Sequence, residues 1–561
     1  MRRYLPVLRW LPDYPRAWLP SDLLAGLTTA AVVIPKAMAY AAIAGLPIEV
    51  GLYTAFVPMA IYAVLGTSRR LSVSSTTIIA ILTATELNLV APGAGTAELA
   101  ATALTLAFLV GVILVGASIL RLGFIANFIS DPVLSGFKAG IGLVIVVDQI
   151  PKVLGLHGPH KTFFDGLAFI VSHLPEASIP TFAVGSAALV VVFGLEHRWP
   201  RLPAPLLAVA LGVAVSALLG FEAMGIATVG LVMPGLPSLT LPSLSLVEQL
   251  WPGALGIALM SFVESVAAGR SFMERGEPRP GANQELLALG LANVVGAIFR
   301  AMPAGGGTSQ TAVNRAAGAH SQVAGLVSAA AAVVVILFLA PVIRLMPQAT
   351  LAAVVIATSF GLVNLPELGA IRRVRKQEFW WALVAIVGVL ALGTLNGILV
   401  AIVASLLTLM YQANHPPVYA LARKPGTDAF RRLSPEHPGD ESFPGLLILR
   451  TEGRVYFANA QRIGDKMWPM VHDAKPEVVI FDCSAVVDIE YTALKMLTEA
   501  DQKLQEAGTS LWLAAPNSAV LAVIERAPIG QALGRDRVFS TLNEAVEAYA
   551  ERELQNATQT R

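Results

Sequence analysis

The stretch from Pro303 to Asn314 reads Pro-Ala-Gly-Gly-Gly-Thr-Ser-Gln-Thr-Ala-Val-Asn, inside otherwise apolar sequence. A side-chain-poor turn followed by hydroxyl and amide residues predicts a helix that begins within the membrane. The first N–H groups of such a helix lack intrahelical partners, and its dipole is positive at that end. An anion satisfies both, which makes Gly307, Thr308, Ser309 and Gln310 candidate anion ligands. The competing reading is a kinked or re-entrant helix whose free groups are met by neighbouring helices. A second polar interruption, Leu71-Ser-Val-Ser-Ser-Thr-Thr77, offers Ser75 and Thr76 as further hydroxyl donors. Two ionisable residues lie in apolar runs: Lys36, and Glu264 in Ser261-Phe-Val-Glu-Ser-Val266. Charges in hydrocarbon are costly, so they line a cavity or pair with each other. A carboxylate there that loads a proton or binds Na⁺ is a natural coupling group. Glu86 and Asp148 lie closer to segment ends and read as interfacial.

These residues need a membrane-spanning scaffold, and the totals supply one. Of 561 residues 55 % are apolar and only 14 % charged, much of the charge falling after about residue 415; the mean hydropathy is +0.66. Long continuous apolar runs point to a polytopic α-helical membrane protein and against a β-barrel, which would alternate with period two. A net charge of +1 gives no support for a nucleic-acid partner. One cysteine, Cys483, excludes an intrachain disulfide and a multi-cysteine metal site. The charged, Pro-rich start has no cleavable-signal pattern.

Residues 1–20, with Arg2, Arg3, Arg9 and Arg16 among Trp and Leu, read as a cytoplasmic interfacial segment. The transport domain follows over 21–413. Apolar segments lie near 23–42, 47–65, 73–91, 98–120, 132–150, 180–195, 204–220, 251–272, 285–301, 308–320, 322–343, 347–363, 379–393 and 396–412. That is about fourteen, some shorter than the roughly 20 residues of a full crossing. With the N-terminus inside, the inside loops collect Arg69, Arg70, Arg121, Arg198, Arg201, Arg270, Arg275, Arg279, Arg315, Arg372, Arg373, Arg375 and Lys376. The outside loops hold only Lys152, Lys161, Arg300 and Arg344. This asymmetry predicts both termini in the cytoplasm. The two polar-interrupted segments are the third and the tenth, equivalent places in two sets of seven. Because seven is odd, the second set enters from the opposite side. The expected design is an inverted repeat with two facing half-helices and a binding site near the midplane. Residues 414–444 read as a turn-rich linker. Residues 445–555 read as a soluble α/β domain, with strands over 445–450, 455–460, 477–483 and 511–515, helices over 492–508 and 542–554, and a tail over 556–561.

Taken together, these residues resemble the sulfate permease (SulP) family of anion transporters over nearly the whole chain. Asp22-Leu-Leu-Ala-Gly-Leu-Thr28 through Ile34-Pro-Lys-Ala-Met-Ala-Tyr-Ala41 looks like the family's opening signature. Gly45-Leu-Pro47, Gly51-Leu-Tyr53, Asn283-Gln-Glu-Leu286, Ala288-Leu-Gly290, Ala292-Asn293, Thr311-Ala-Val-Asn314 and Ala317-Gly-Ala319 continue it. The C-terminal part resembles a STAS domain, the module shared with anti-sigma-factor antagonists. The resemblance implies a seven-plus-seven inverted repeat, a core domain moving against a gate domain, homodimerisation and an inner-membrane location. The family usually has Arg where Gln310 stands and Gln where Lys36 stands, so Lys36 is expected to supply the cation that Arg supplies elsewhere. The alternatives are that Lys36 pairs with Glu264 or reaches an interface. Lysine is a point charge without the planar fork of Arg. The family commonly shows Gly-Pro where this chain has Ser74-Ser75. Tyr40 corresponds to an aromatic wall position and Glu264 to an acidic position linked to proton or sodium coupling. In the STAS-like part Thr492 occupies the phosphorylatable position of the antagonists, although a residue there is more often simply an N-cap. The resulting expectation is a secondary transporter without catalytic residues, metal or cofactor. It couples a small anion (sulfate, a C4-dicarboxylate such as fumarate, or bicarbonate) to H⁺. Na⁺ coupling, uncoupled exchange or a channel, and a non-transporting sensor that displays STAS to cytosolic partners are the alternatives.

Overall fold

The computed structural model describes residues 5–127, 130–156, 158, 162–199, 202–230, 235–273 and 277–559. Arg2, Arg3, Lys161, Arg201 and Arg275, used above for orientation, and the last two tail residues lie outside these. The chain forms two compact units, Met1–Leu406 and Leu407–Arg561.

A helix lies in each apolar stretch up to residue 414: α1 Leu19–Ile43, α2 Ile48–Leu65, α3 Thr77–Val90, α4 Thr96–Ile119, α5 Asp131–Leu154, α6 Ile179–Arg198, α7 Ala204–Leu219, α8 Val247–Ser271, α9 Ala282–Ile298, α10 Thr308–Ala316, α11 Val323–Val334, α12 Gln348–Phe360, α13 Lys376–Leu392 and α14 Thr394–Asn414. Helix is the form that satisfies every backbone group within an apolar segment. Among the described residues eight helical stretches are long and apolar enough to cross a membrane. Helices α3 and α10 are not among them. Each follows a two-residue strand, β1 (Val73–Ser74) before α3 and β2 (Gly305–Gly306) before α10.

Contacts sort the helices into two sets, α1–α4 with α8–α11, and α5–α7 with α12 and α13. Small residues let backbones approach within the first set. A Cβ on Gly111 of α4 would lie 2.6 Å from the backbone nitrogen of Val294 and 2.7 Å from the carbonyl of Gly290, both on α9. Glu86 is not interfacial as expected. It is 1 % exposed, one turn before the end of α3.

The second unit holds a six-stranded sheet in the order β10-β9-β7-β5-β3-β4. Its elements are β3 Val418–Arg423, β4 Phe430–Arg432, β5 Leu446–Thr451, β6 Gly453–Val455, α15 Ala460–Ala474, β7 Val478–Asp482, β8 Val486–Ile489, α16 Tyr491–Glu506, β9 Ser510–Ala514, α17 Ser518–Glu525, α18 Pro528–Leu533, β10 Val538–Phe539 and α19 Leu542–Gln559. Strands β5, β7, β9 and β10 are parallel, and β3 runs antiparallel to β5. Alternate residues face opposite sides. Val479 and Phe481 pack with Ile463 of α15 and Leu494 of α16, while Val478 and Ile480 pack with Ala545 and Tyr549 of α19.

Two expectations change here. Residues 414–444 contain β3 and β4 and are part of the sheet. The Pro417 and Pro425 flanks suggest a linker, but β3 is paired on both sides, with β5 in the register Val418↔Thr451 and with β4 in the register Leu421↔Arg432. The strand expected over 455–460 stops at Val455, and α15 starts at Ala460. Its apolar face, Ile463 and Met467, is interrupted by polar residues and by Pro469, which hides the helix from a short window.

Candidate functional site

Strands β1 and β2 pair antiparallel, Val73 with Gly306 and Ser74 with Gly305. This two-rung ladder brings the starts of α3 and α10 together. It admits no larger residue: a Cβ on Gly305 would lie 2.7 Å from Cδ1 of Ile79 and 2.8 Å from Oγ of Ser261. A shell of side chains from α8 and α9 holds β2. Asn293 donates to the Ala304 carbonyl (3.0 Å) and accepts from its N–H (2.8 Å). Ser261 donates to the same carbonyl at 2.8 Å, and the Gly306 N–H donates to Ser265 Oγ at 2.6 Å. Ser261, Glu264 and Ser265, spaced i, i+3, i+4, share one face of α8, so the stretch that carries the acid also carries the brace.

Gln310 turns away from the open helix start. Its Nε2 donates to the Ser72 carbonyl at 2.8 Å, and its Oε1 accepts from Ser74 at 3.0 Å. Its amide therefore ties α10 to β1, where a guanidinium could not accept the Ser74 proton. Helix α10 is left open. Its N-cap Gly307 has no side chain to offer, and among the described residues nothing accepts from the backbone N–H groups of Thr308, Ser309 and Gln310. Lys36 of α1 is 8 % exposed, and its Nζ donates to Ser309 Oγ at 3.1 Å. Ser309 is exposed and Thr308 half-buried. An ammonium thus stands beside a free helix N-terminus at which Ser309 is exposed.

The start of α3 carries the acid. Thr76 caps it, accepting from the Ile79 N–H at 3.4 Å. The Thr76 hydroxyl proton goes to Glu264 Oε2, 3.0 Å away, and Glu264 is 5 % exposed. Ser75 is fully buried and its Oγ has no partner among the described residues. Tyr40 is 5 % exposed, and its OH accepts from Thr77 at 2.9 Å, so α1 touches both helix starts. Lys36 and Glu264 form no ion pair among the described residues. Thr77 and Asn293 were not expected from sequence as site residues; only the fold brings their side chains to Tyr40 and Ala304.

Two helix N-termini of about +0.5 each and one ammonium outweigh one carboxylate. The site is positive with Glu264 ionised and more so with it protonated. Thr492, in the second unit, does not cap its helix: the N-cap of α16 is Glu490, with no side-chain cap bond, and Thr492 is exposed on the first turn. Glu490 and Asp488 instead pair with Arg454 at 2.8 and 3.0 Å.

Residues 19–385 match the sulfate permease family and residues 437–545 the STAS domain. The chain belongs to the sulfate permease family. It is 32 % identical over 544 residues to a protein named as a probable sulfate transporter of Mycobacterium tuberculosis (strain ATCC 25618 / H37Rv), covering 96 % of this chain and 97 % of that one. It is 32 % identical over 491 residues to solute carrier family 26 member 6 of Homo sapiens, covering 83 % and 64 % of the two chains. The fold is shared with the murine solute carrier 26 family member A9 anion transporter in the inward-facing state (TM-score 0.88, 24 % identity, 98 % of this chain and 94 % of that). The transmembrane domain of the cyanobacterial bicarbonate transporter BicA covers 70 % of this chain (98 % of its own), with a TM-score of 0.60 and 22 % identity. This permease is therefore a multi-pass membrane anion transporter, with a STAS domain at its C-terminal end.

Proposed function

We propose that this permease is a secondary active importer that couples uptake of a small oxyanion to H⁺, with sulfate, a C4-dicarboxylate such as fumarate, or bicarbonate as substrate. In this reading the anion lies between the starts of α3 and α10, held by the free N–H groups of α10, Ser309 and Ser75, with Lys36 as the cation and Tyr40 as a wall. Gln310 holds the scaffold. Glu264 takes the proton. The observation that carries the reading is the pair of contacts Lys36–Ser309 and Thr76–Glu264 at two adjoining helix starts. The Thr76 hydroxyl has one proton to give. A protonated Glu264 no longer requires it, so the donor turns to the anion while the site becomes more positive. Proton and anion binding thereby favour each other, as symport requires.

The same reading takes α1–α14 as a seven-plus-seven inverted repeat, with the set containing α1 as the moving core and the set containing α5 as the gate. It places the protein in the inner membrane as a homodimer with both termini cytoplasmic. The test is uptake of labelled sulfate, fumarate and bicarbonate into proteoliposomes under separate H⁺ and Na⁺ gradients, with Glu264→Gln alongside. Accumulation driven by H⁺ and lost in Glu264→Gln, with anion exchange retained, supports the proposal. Accumulation driven only by Na⁺ transfers the coupling role to sodium. Normal accumulation in Glu264→Gln refutes the coupling role, and no flux of any anion favours a sensor.

A further inference from the structure

Glu86 is a buried carboxyl that the coupling scheme does not use. It lies on α3 at 1 % exposure, its Oε2 has no hydrogen-bond partner, and no ion pair reaches it among the described residues. The space it occupies is made by Gly253 of α8: a Cβ there would lie 2.1 Å from the Glu86 Cδ and 2.2 Å from Oε2. Helices α8, α1, α4 and α5 pack against α3. The titratable groups they carry toward it are occupied or remote. Lys36 bonds Ser309, Tyr40 bonds Thr77 and Glu264 bonds Thr76, all by the helix starts. Glu98 and Glu248 are exposed, Lys152 reaches the Ala42 carbonyl at 3.5 Å, and Lys138 and Asp148 are half-buried on α5 without touching Glu86.

An ionised carboxylate without a cation or donor is strongly disfavoured in such a place. Glu86 also sits near the C-terminal end of α3, where the helix dipole is negative and opposes a second negative charge. Both effects favour the neutral acid. We propose that Glu86 is a second proton-binding carboxyl of the transport domain, and that its proton sets anion affinity at the opposite end of α3.

The coupling runs along one helix. Glu86 is nine residues beyond Thr77, about 14 Å at the helical rise. A full negative charge at that distance, at an effective dielectric of about 20, weakens anion binding at the helix start by roughly five- to tenfold. Protonated Glu86 therefore corresponds to high affinity, which falls as pH rises and the proton leaves. Bound anion in turn holds the proton on Glu86. This part of the inference rests on the helix starts being the anion site; the protonation of Glu86 does not.

Two measurements separate them. The first is infrared difference spectroscopy of the full-length protein at neutral pH, wild type against Glu86→Gln. A protonated-carboxyl band lost in Glu86→Gln is expected; a band unchanged by the substitution overturns the proton site. The second is equilibrium binding of labelled sulfate, fumarate and bicarbonate from mildly acidic to alkaline pH. Wild-type affinity should fall with pH, and Glu86→Gln should remove roughly five- to tenfold of that fall. Superimposable pH curves overturn the coupling. Glu86→Leu, which removes a polar atom that has no partner, should fold and behave like Glu86→Gln. If wild type binds none of these anions, the transport reading and the coupling built on it both fail, and the infrared band alone decides whether Glu86 holds the proton.

Discussion

Replacing Lys36 with Gln tests whether the cation has moved from α10 to α1. The Lys36 ammonium lies 3.1 Å from Ser309 Oγ, beside three N–H groups without partners among the described residues. An anion held there comes within about 4 Å of Nζ, where the Coulomb attraction is about 4 kcal/mol at an effective dielectric of 20. The ammonium must give up its contact with Ser309 and the anion its water, so the net gain is closer to that of one charge-assisted hydrogen bond, about 1.5–3 kcal/mol. Lys36→Gln should therefore weaken the apparent affinity by roughly 10- to 150-fold. Gln is uncharged and one bond shorter, so it does not overfill the site, and it leaves the scaffold bonds of Gln310 intact, so the protein should fold normally. The assay is concentration-dependent uptake of labelled sulfate, fumarate and bicarbonate into proteoliposomes, with monodispersity and melting temperature as controls. Lys36→Arg should recover part of the affinity, since the charge is restored on a different geometry. Affinity within about twofold of wild type in Lys36→Gln, for every anion transported, would show that Lys36 does not contact the substrate, since a lost charge-assisted bond predicts at least roughly tenfold. The helix starts alone would then carry recognition.

Gly305→Ala should lower stability by about 1–3 kcal/mol through overpacking against Ile79 and Ser261, read as a lower melting temperature in detergent; an unchanged value would mean that the β1–β2 ladder has room to spare. In the STAS unit Arg450 is bound to Asp482, which is 0 % exposed, at 2.5 Å. Arg450→Met should destabilise that unit by about 3–5 kcal/mol, because it strands a buried charge; denaturant unfolding followed by Trp512 fluorescence measures it, and a loss under about 1 kcal/mol would contradict it. Cys483 is buried, and burial followed by the neighbouring Asp482 pushes its thiol well above the usual range. It should resist maleimide at neutral pH and react once the STAS unit unfolds, and rapid labelling of the native protein would contradict this burial.

Much of the scaffold was legible because its signals are local. Apolar runs at helical length locate α1–α14, and a helix inside an apolar segment satisfies its own backbone whatever surrounds it. The Gly-Gly-Gly-Thr-Ser stretch marks the opening of α10 for the same reason: a helix start leaves N–H groups free, and small residues leave them uncovered. The α/β character of the C-terminal unit follows from buried strands such as β7. Where the unit begins did not follow, because β3 is held by pairing with β5 and β4 and its own sequence looks like a linker.

The roles of the polar residues were decided by tertiary structure. Sequence shows that Lys36 and Glu264 are charges in apolar helices, and pairing them is the simplest expectation. The fold instead sets Lys36 beside Ser309 and Glu264 beside Thr76, on two different helix starts. Gln310 and Ser309 are consecutive, yet one faces the scaffold and the other the open site, because neighbouring residues on a helix point about 100° apart. Glu86 looks interfacial from its place near a segment end and is buried because α8 offers a glycine opposite it. The sequence determined which residues are expensive to bury and where helices start. Which partner meets each polar side chain depends on contacts between segments hundreds of residues apart, and only the packed helices set those distances.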